Sequence, residues 1–152
     1  MHMKTETYRI IAGIIICPWI LVVAWSIPYI NHSAFSKWIV INTFAAFLVF
    51  FFTAAISHFF LRALSLEKWW HYSVVMFCVC LMLYYGFSTL GASGYTELYH
   101  SQTQVVENGN ITQAGHILNL RNAASGSLLS AATFFVFWLI AVWKPNGRVK
   151  NA

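Results

Sequence analysis

Four stretches without Asp, Glu, Lys or Arg, at 10–30, 38–61, 69–91 and 124–143, constrain this chain more than any other feature. A helix needs about 20 apolar residues to cross the hydrocarbon of a bilayer, and each stretch is about that long. β-Barrel strands are shorter and alternate in polarity, which these do not. Composition agrees. Charged residues make up 9% of the 152 and hydrophobic ones 59%, with mean hydropathy +0.65. A soluble domain is about a quarter charged, so this chain has too little polar surface to clothe a globule in water. The expected fold is an all-α membrane protein of four transmembrane helices in one polytopic domain, 1–152. The first stretch contains Pro18 and Pro28, is too long for a signal peptide and precedes no cleavable small-x-small site, so it reads as a retained helix.

Basic residues orient the helices. Four crossings place both termini on one side, with Lys4, Arg9, Arg62, Lys68, Lys144, Arg148 and Lys150; the other side holds only Lys37 and Arg121. The positive-inside bias puts both termini, the 62–68 loop and the 144–152 tail in the cytoplasm, and a bacterial inner membrane is the expected location. The net charge of +5 then marks topology and contact with anionic lipid rather than nucleic acid. Trp38 flanks one face of the bilayer and Trp69, Trp70 and Trp143 the other, where an indole keeps its apolar body in lipid and its N–H near water. Cys17, Cys78 and Cys80 all fall inside the apolar stretches, so no disulfide framework holds the exported parts.

Residues 92–123 form the one long polar connection. Tyr95, Leu98, Tyr99, Val105 and Val106 follow a three-four spacing, as do Ile111, Ala114, Leu118 and Ala124 after the turn. Asn110 followed by Gln113 has the form of a capping box. Helices three and four are therefore expected to extend into an outer helical hairpin with its tip at 107–110. The competing readings are an irregular loop and a β-hairpin with a type I′ turn at Asn108-Gly109, the latter favoured by Val105, Val106, Ile111 and Thr112 but marginal as two lone strands in water.

Chemistry is sparse. The chain has no Asp, and no GxSxG, HExxH or P-loop motif, so no catalytic residue is assigned and an enzyme is not expected. His58 and His71 lie near the same end of helices two and three. Such a pair can hold haem or move a proton, and they are the only cofactor candidates, weak ones; no cofactor is expected. His100 and His116 flank the polar turn, with Glu97 nearby, too few ligands for a metal site. The row Ala123, Gly126, Ser127, Ser130 and Ala131 allows close helix approach, inside the chain or between protomers of a homo-oligomer. The expected function is a non-enzymatic inner-membrane scaffold or sensor, in phage defence, exclusion or toxin immunity. It would recruit a soluble cytoplasmic protein through Arg62, Lys68, Lys144, Arg148 and Lys150, and meet an external partner at Glu107, Asn108 and Asn110. The alternatives are a haem- or proton-carrying subunit using His58 and His71, and an oligomeric channel or holin-like pore.

Overall fold

The structure is a computed structural model that describes residues 2–31, 33, 35–100 and 102–143, excluding the side chains of 2–5 and 29. Four helices are long and apolar enough to cross a membrane: α1 (His2–Ser26), α2 (Phe35–Ala63), α3 (Trp69–Ala92) and α4 (Gln113–Ala141). The first ends at Ser26 rather than at residue 30, because Pro28 falls in a single 3₁₀ turn, Ile27–Tyr29. Lipid-facing chemistry is plain along α2, where Phe44, Phe51, Phe52, Ile56, Phe59 and Phe60 are all exposed. In water such a face would aggregate; in hydrocarbon it is the natural outer surface.

The chain divides into two compact units, 1–72 with 133–152, and 73–132. In the first unit α1 packs along α2. Its core is aromatic: Phe50 lies 4.9 Å from Phe134 and 5.8 Å from Phe137, and those two rings lie 5.4 Å apart. Gly13 of α1 is there because a Cβ would sit 2.7 Å from the Phe137 ring. The α2–α3 connection is tight. Ser65 adopts φ 57°, Ser65 N–H donates to Arg62 O and Leu66 N–H to Leu61 O. This is the Schellman stop, in which glycine usually takes the left-handed position. Ser65→Gly is expected to raise the SDS-unfolding midpoint, by about 0.5–1 kcal/mol, because it removes the Cβ penalty of a left-handed residue.

In the second unit the polar connection departs from the helical-hairpin expectation. α3 stops at Ala92, and the segment beyond it forms an antiparallel sheet of β1 (Leu98–His100), β2 (Thr103–Glu107) and β3 (Asn110–Ile111), in that order. Val106 pairs with Leu98 on one side and Ile111 on the other. Asn108 (φ 49°) and Gly109 (φ 77°) supply the two left-handed residues of the tight turn. Two things overcome the weakness of a lone hairpin: a third strand, and a hydrophobic floor in which Ala92, Val105 and Val106 are buried against Leu98, Ile111 and Leu118. The other half of the expectation holds, since α4 begins at Gln113, well before residue 124. Thr112 joins sheet to helix. Its N–H donates to Val105 O, its hydroxyl donates to Gln104 O at 2.6 Å, and that same oxygen accepts from Gly115 N–H at 2.9 Å.

Candidate functional site

The charged end of the first unit gathers its polar side chains where α1 begins, α2 ends, α3 begins and α4 ends. Helix ends leave carbonyls without partners, and here side chains meet them. Arg9 Nε donates to Ile140 O at 2.8 Å, and its Nη2 bonds to Trp143 O. A guanidinium at the C-terminal end of α4 also complements the negative end of its dipole. Trp138 Nε1 donates to Glu67 O at 2.6 Å, tying α4 to the α2–α3 connection. Arg62 meets Glu6 at 3.1 Å. That ion pair is half exposed and contributes little alone, but it fixes the first turns of α1 beside the last of α2.

Beneath these contacts lies His58, 4% exposed. Its Nδ1 is 3.0 Å from the hydroxyl of fully buried Tyr72. Its ring packs at 6.2 Å from Phe137 and 5.8 Å from Phe59. Nε2 is buried without a hydrogen-bond partner among the described residues. His58 also lines a small cavity of about 40 Å³ with Glu6, Ile10, Arg62, Glu67, Ala141 and Val142. A buried polar atom without a partner costs about 1–3 kcal/mol, and an imidazole nitrogen so placed is a point where a proton can be bound. Tyrosine suits the other nitrogen, because a phenol oxygen both donates and accepts. It can therefore serve Nδ1 when that atom is bare and when it carries hydrogen.

His71 does not join His58 in a facing pair at this cavity. Its ring lies against that of Trp70, with centroids 3.8 Å apart and the planes tilted by 53°, and its Nδ1 is buried without a partner among the described residues. Tyr72 was the partner missed in the sequence, and a signal for it was present. In an antiparallel hairpin, residues equidistant from the turn meet, and His58 and Tyr72 are each seven residues from Ser65, whereas His71 is six.

The other candidates separate. Of the basic partner-binding set, Arg62 is engaged by Glu6, Lys68 is exposed, and Lys144, Arg148 and Lys150 lie outside the described residues. At the polar tip Glu107, Asn108 and Asn110 are all exposed. In the small-residue row, Ala123, Ser127 and Ser130 are buried within the chain and Ala131 half so. An added Cβ at Gly126 would come within 2.9 Å of the Tyr84 ring, and Tyr84 Oη lies 2.9 Å from Ser130 Oγ. The row thus serves a contact between α3 and α4 inside the second unit. The hydroxyls of Thr43, Thr53, Ser127 and Ser130 donate to carbonyls of their own helices, as membrane hydroxyls commonly do, which leaves little to line a pore. Among the described residues no three His, Cys, Asp or Glu side chains are placed to hold a metal ion.

Apolar helices of this length place the chain in the class of integral membrane proteins. Comparison with protein families, curated proteins and solved structures finds no match to the chain.

Proposed function

We propose that this chain is a non-enzymatic membrane protein that takes up and releases a proton at His58, near the cytoplasmic face of a bacterial inner membrane. The observation that carries the reading is the buried imidazole with Nδ1 on Tyr72 and Nε2 without a partner among the described residues, on a side chain that lines a small polar cavity. Ionisable groups inside a membrane protein are costly and are functional candidates by default, and histidine alone changes charge near neutral pH without special tuning. In this reading the protonated ring carries hydrogen on both nitrogens and donates from Nδ1 to Tyr72. The seven-to-two distribution of basic residues supports placing this end, with both termini, on the cytoplasmic side.

The test is a difference titration of purified protein in lipid nanodiscs from about pH 8 down to about pH 4, a window that extends beyond the range of an ordinary histidine. His58→Gln, matched to wild type by gel filtration, is expected to take up one proton fewer per chain. Superimposable curves would remove His58 from the reading.

A second reading rests on a different observation. The sheet of the second unit is an ordered polar module with an exposed tip at Glu107, Asn108 and Asn110, and Lys68 is exposed. These suit a scaffold that meets a partner on each side of the membrane. Nothing in the geometry favours phage defence, exclusion or toxin immunity over another setting for such a scaffold.

A further inference from the structure

We propose that the three-stranded sheet docks on the outer headgroup layer of the bilayer, a surface of zwitterionic phospholipid, and that only its tip clears the lipid. The inference is independent of the proton at His58. Length gives the first argument. Hydrocarbon takes about 20 helical residues. Counted from Trp70, near the start of α3, about 20 residues reach Leu90; counted back from Ala141, the end of α4, about 20 reach Arg121. Ala92, part of the floor beneath the sheet, therefore lies just past the boundary. α3 ends there, so it provides no stalk on which the sheet could stand away from the lipid.

The second argument is continuity with the lipid-facing surface. At about 3.6 residues per turn, Leu139, Phe135, Leu128, Arg121 and Ile117 fall on one stripe of α4, and all are exposed. The stripe does not stop at the edge of the hydrocarbon. Ile117 and Leu120, each more than half exposed, carry it into the turns of α4 that lead from the sheet. Tyr95 and Tyr99, also more than half exposed, follow directly after α3. A tyrosine keeps its apolar body in the acyl boundary and its hydroxyl among headgroups, which is why the residue collects at that level. Arg121 has no ion-pair partner among the described residues, and its long stem lets the guanidinium reach a lipid phosphate from the edge of the hydrocarbon. Charge selects the lipid. Residues 73–132 carry Glu97, Glu107 and Arg121, one negative charge in excess. An anionic surface repels that excess, whereas a zwitterionic headgroup offers phosphate to Arg121 and ammonium to Glu97. Glu107, Asn108 and Asn110, at the turn, are polar and exposed, and stay in water.

The experiment uses the full chain with Cys78→Ala, since Cys17 and Cys80 are buried, and one added thiol from Tyr99→Cys, Ile117→Cys or Glu107→Cys. Each is labelled with a nitrobenzoxadiazole fluorophore and matched by gel filtration in phosphatidylcholine nanodiscs. A nitroxide on the choline headgroup is expected to quench the labels at 99 and 117 several-fold more than the label at 107. Aqueous iodide is expected to give the reverse order. Leu120→Cys takes the place of Ile117→Cys if the latter fails to fold. Replacing part of the phosphatidylcholine by phosphatidylglycerol, at fixed nitroxide content, is expected to lower the quenching at 99; a rise overturns the zwitterionic partner. Equal iodide quenching at all three positions, with little from the nitroxide, overturns the docking and stands the sheet clear of the bilayer. Protection at 117 from both quenchers also overturns it, because protein, such as a second copy of the chain, then covers that face.

Discussion

Alanine in place of Gly115 is expected to release the three-stranded sheet from α4 while the membrane helices stay folded. A Cβ at Gly115 would lie 2.4 Å from Val105 O and 3.0 Å from Val105 Cα. Both are backbone atoms of the central strand, so no rotamer change relieves the clash. Either the strand or the first turn of α4 must move. The atoms involved leave little slack. Val105 O accepts Thr112 N–H at 3.0 Å, and the Thr112 hydroxyl bonds Gln104 O and accepts Gly115 N–H. Movement large enough to admit the methyl loosens these bonds together and lifts Val105 and Val106 from Ala92 and Leu118. Overpacking a tight core costs about 1–3 kcal/mol, and a clash against backbone belongs at the upper end. Local opening by about 3 kcal/mol corresponds to roughly 100-fold faster amide exchange. Hydrogen exchange with mass spectrometry should show that increase over 98–112, with protection across α2 unchanged. Equal protection in the variant and the wild type would mean that the strand is not docked on this turn of α4. Gly109 is a useful contrast. A Cβ there meets nothing within 4 Å, so its substitution strains only the left-handed turn and should produce a smaller effect.

That sheet also marks where the sequence was legible and where it was not. The four apolar stretches announced their helices because bilayer thickness imposes a length that few other structures satisfy. The turn at Asn108-Gly109 was equally clear, since two successive left-handed residues have few sequence solutions. What lay between could not be settled by spacing. Tyr95, Leu98 and Tyr99 fit a helix by period. Yet β1 opens with an irregular register between Leu98 and Tyr99, which breaks the alternation that would have declared a strand. The argument against a hairpin weighed two strands alone in water, and the stabilising partners, β1 and the α4 face bearing Leu118, come from outside the hairpin's own residues. Gly115 held the missing information: a glycine one turn into α4 makes sense only where a backbone crosses closely. At the other end His58 was legible as a buried ionisable group, but its partner was not read from the symmetry about Ser65. The roles of Arg9 and Trp138 depend on α4 returning to meet α1 and the 62–68 connection, which no local pattern encodes.

Phe137→Ala is expected to weaken the first unit by about 2–3 kcal/mol and to open His58 to water at the same time. In a soluble core the same change costs about 3–5 kcal/mol, part of it lost transfer from water. Between membrane helices that part is small, because the separated helices face lipid rather than water. What remains is the cavity, ~100 Å³ at about 24 cal/mol per Å³. Phe137 is where that loss concentrates. Its ring is fully buried, fills the space over Gly13 and lies within 6.4 Å, centroid to centroid, of Phe50, Phe134, His58 and Tyr72. The SDS-unfolding midpoint should fall accordingly, and Phe137→Leu, which keeps much of the volume, should lose less than half as much. The second readout separates packing from chemistry. If the Phe137 ring, 6.2 Å from His58, keeps water from the imidazole, Phe137→Ala should change the pH at which His58 takes up its proton in the difference titration. A variant that is destabilised yet titrates as the wild type does would show that Phe137 supports the fold alone.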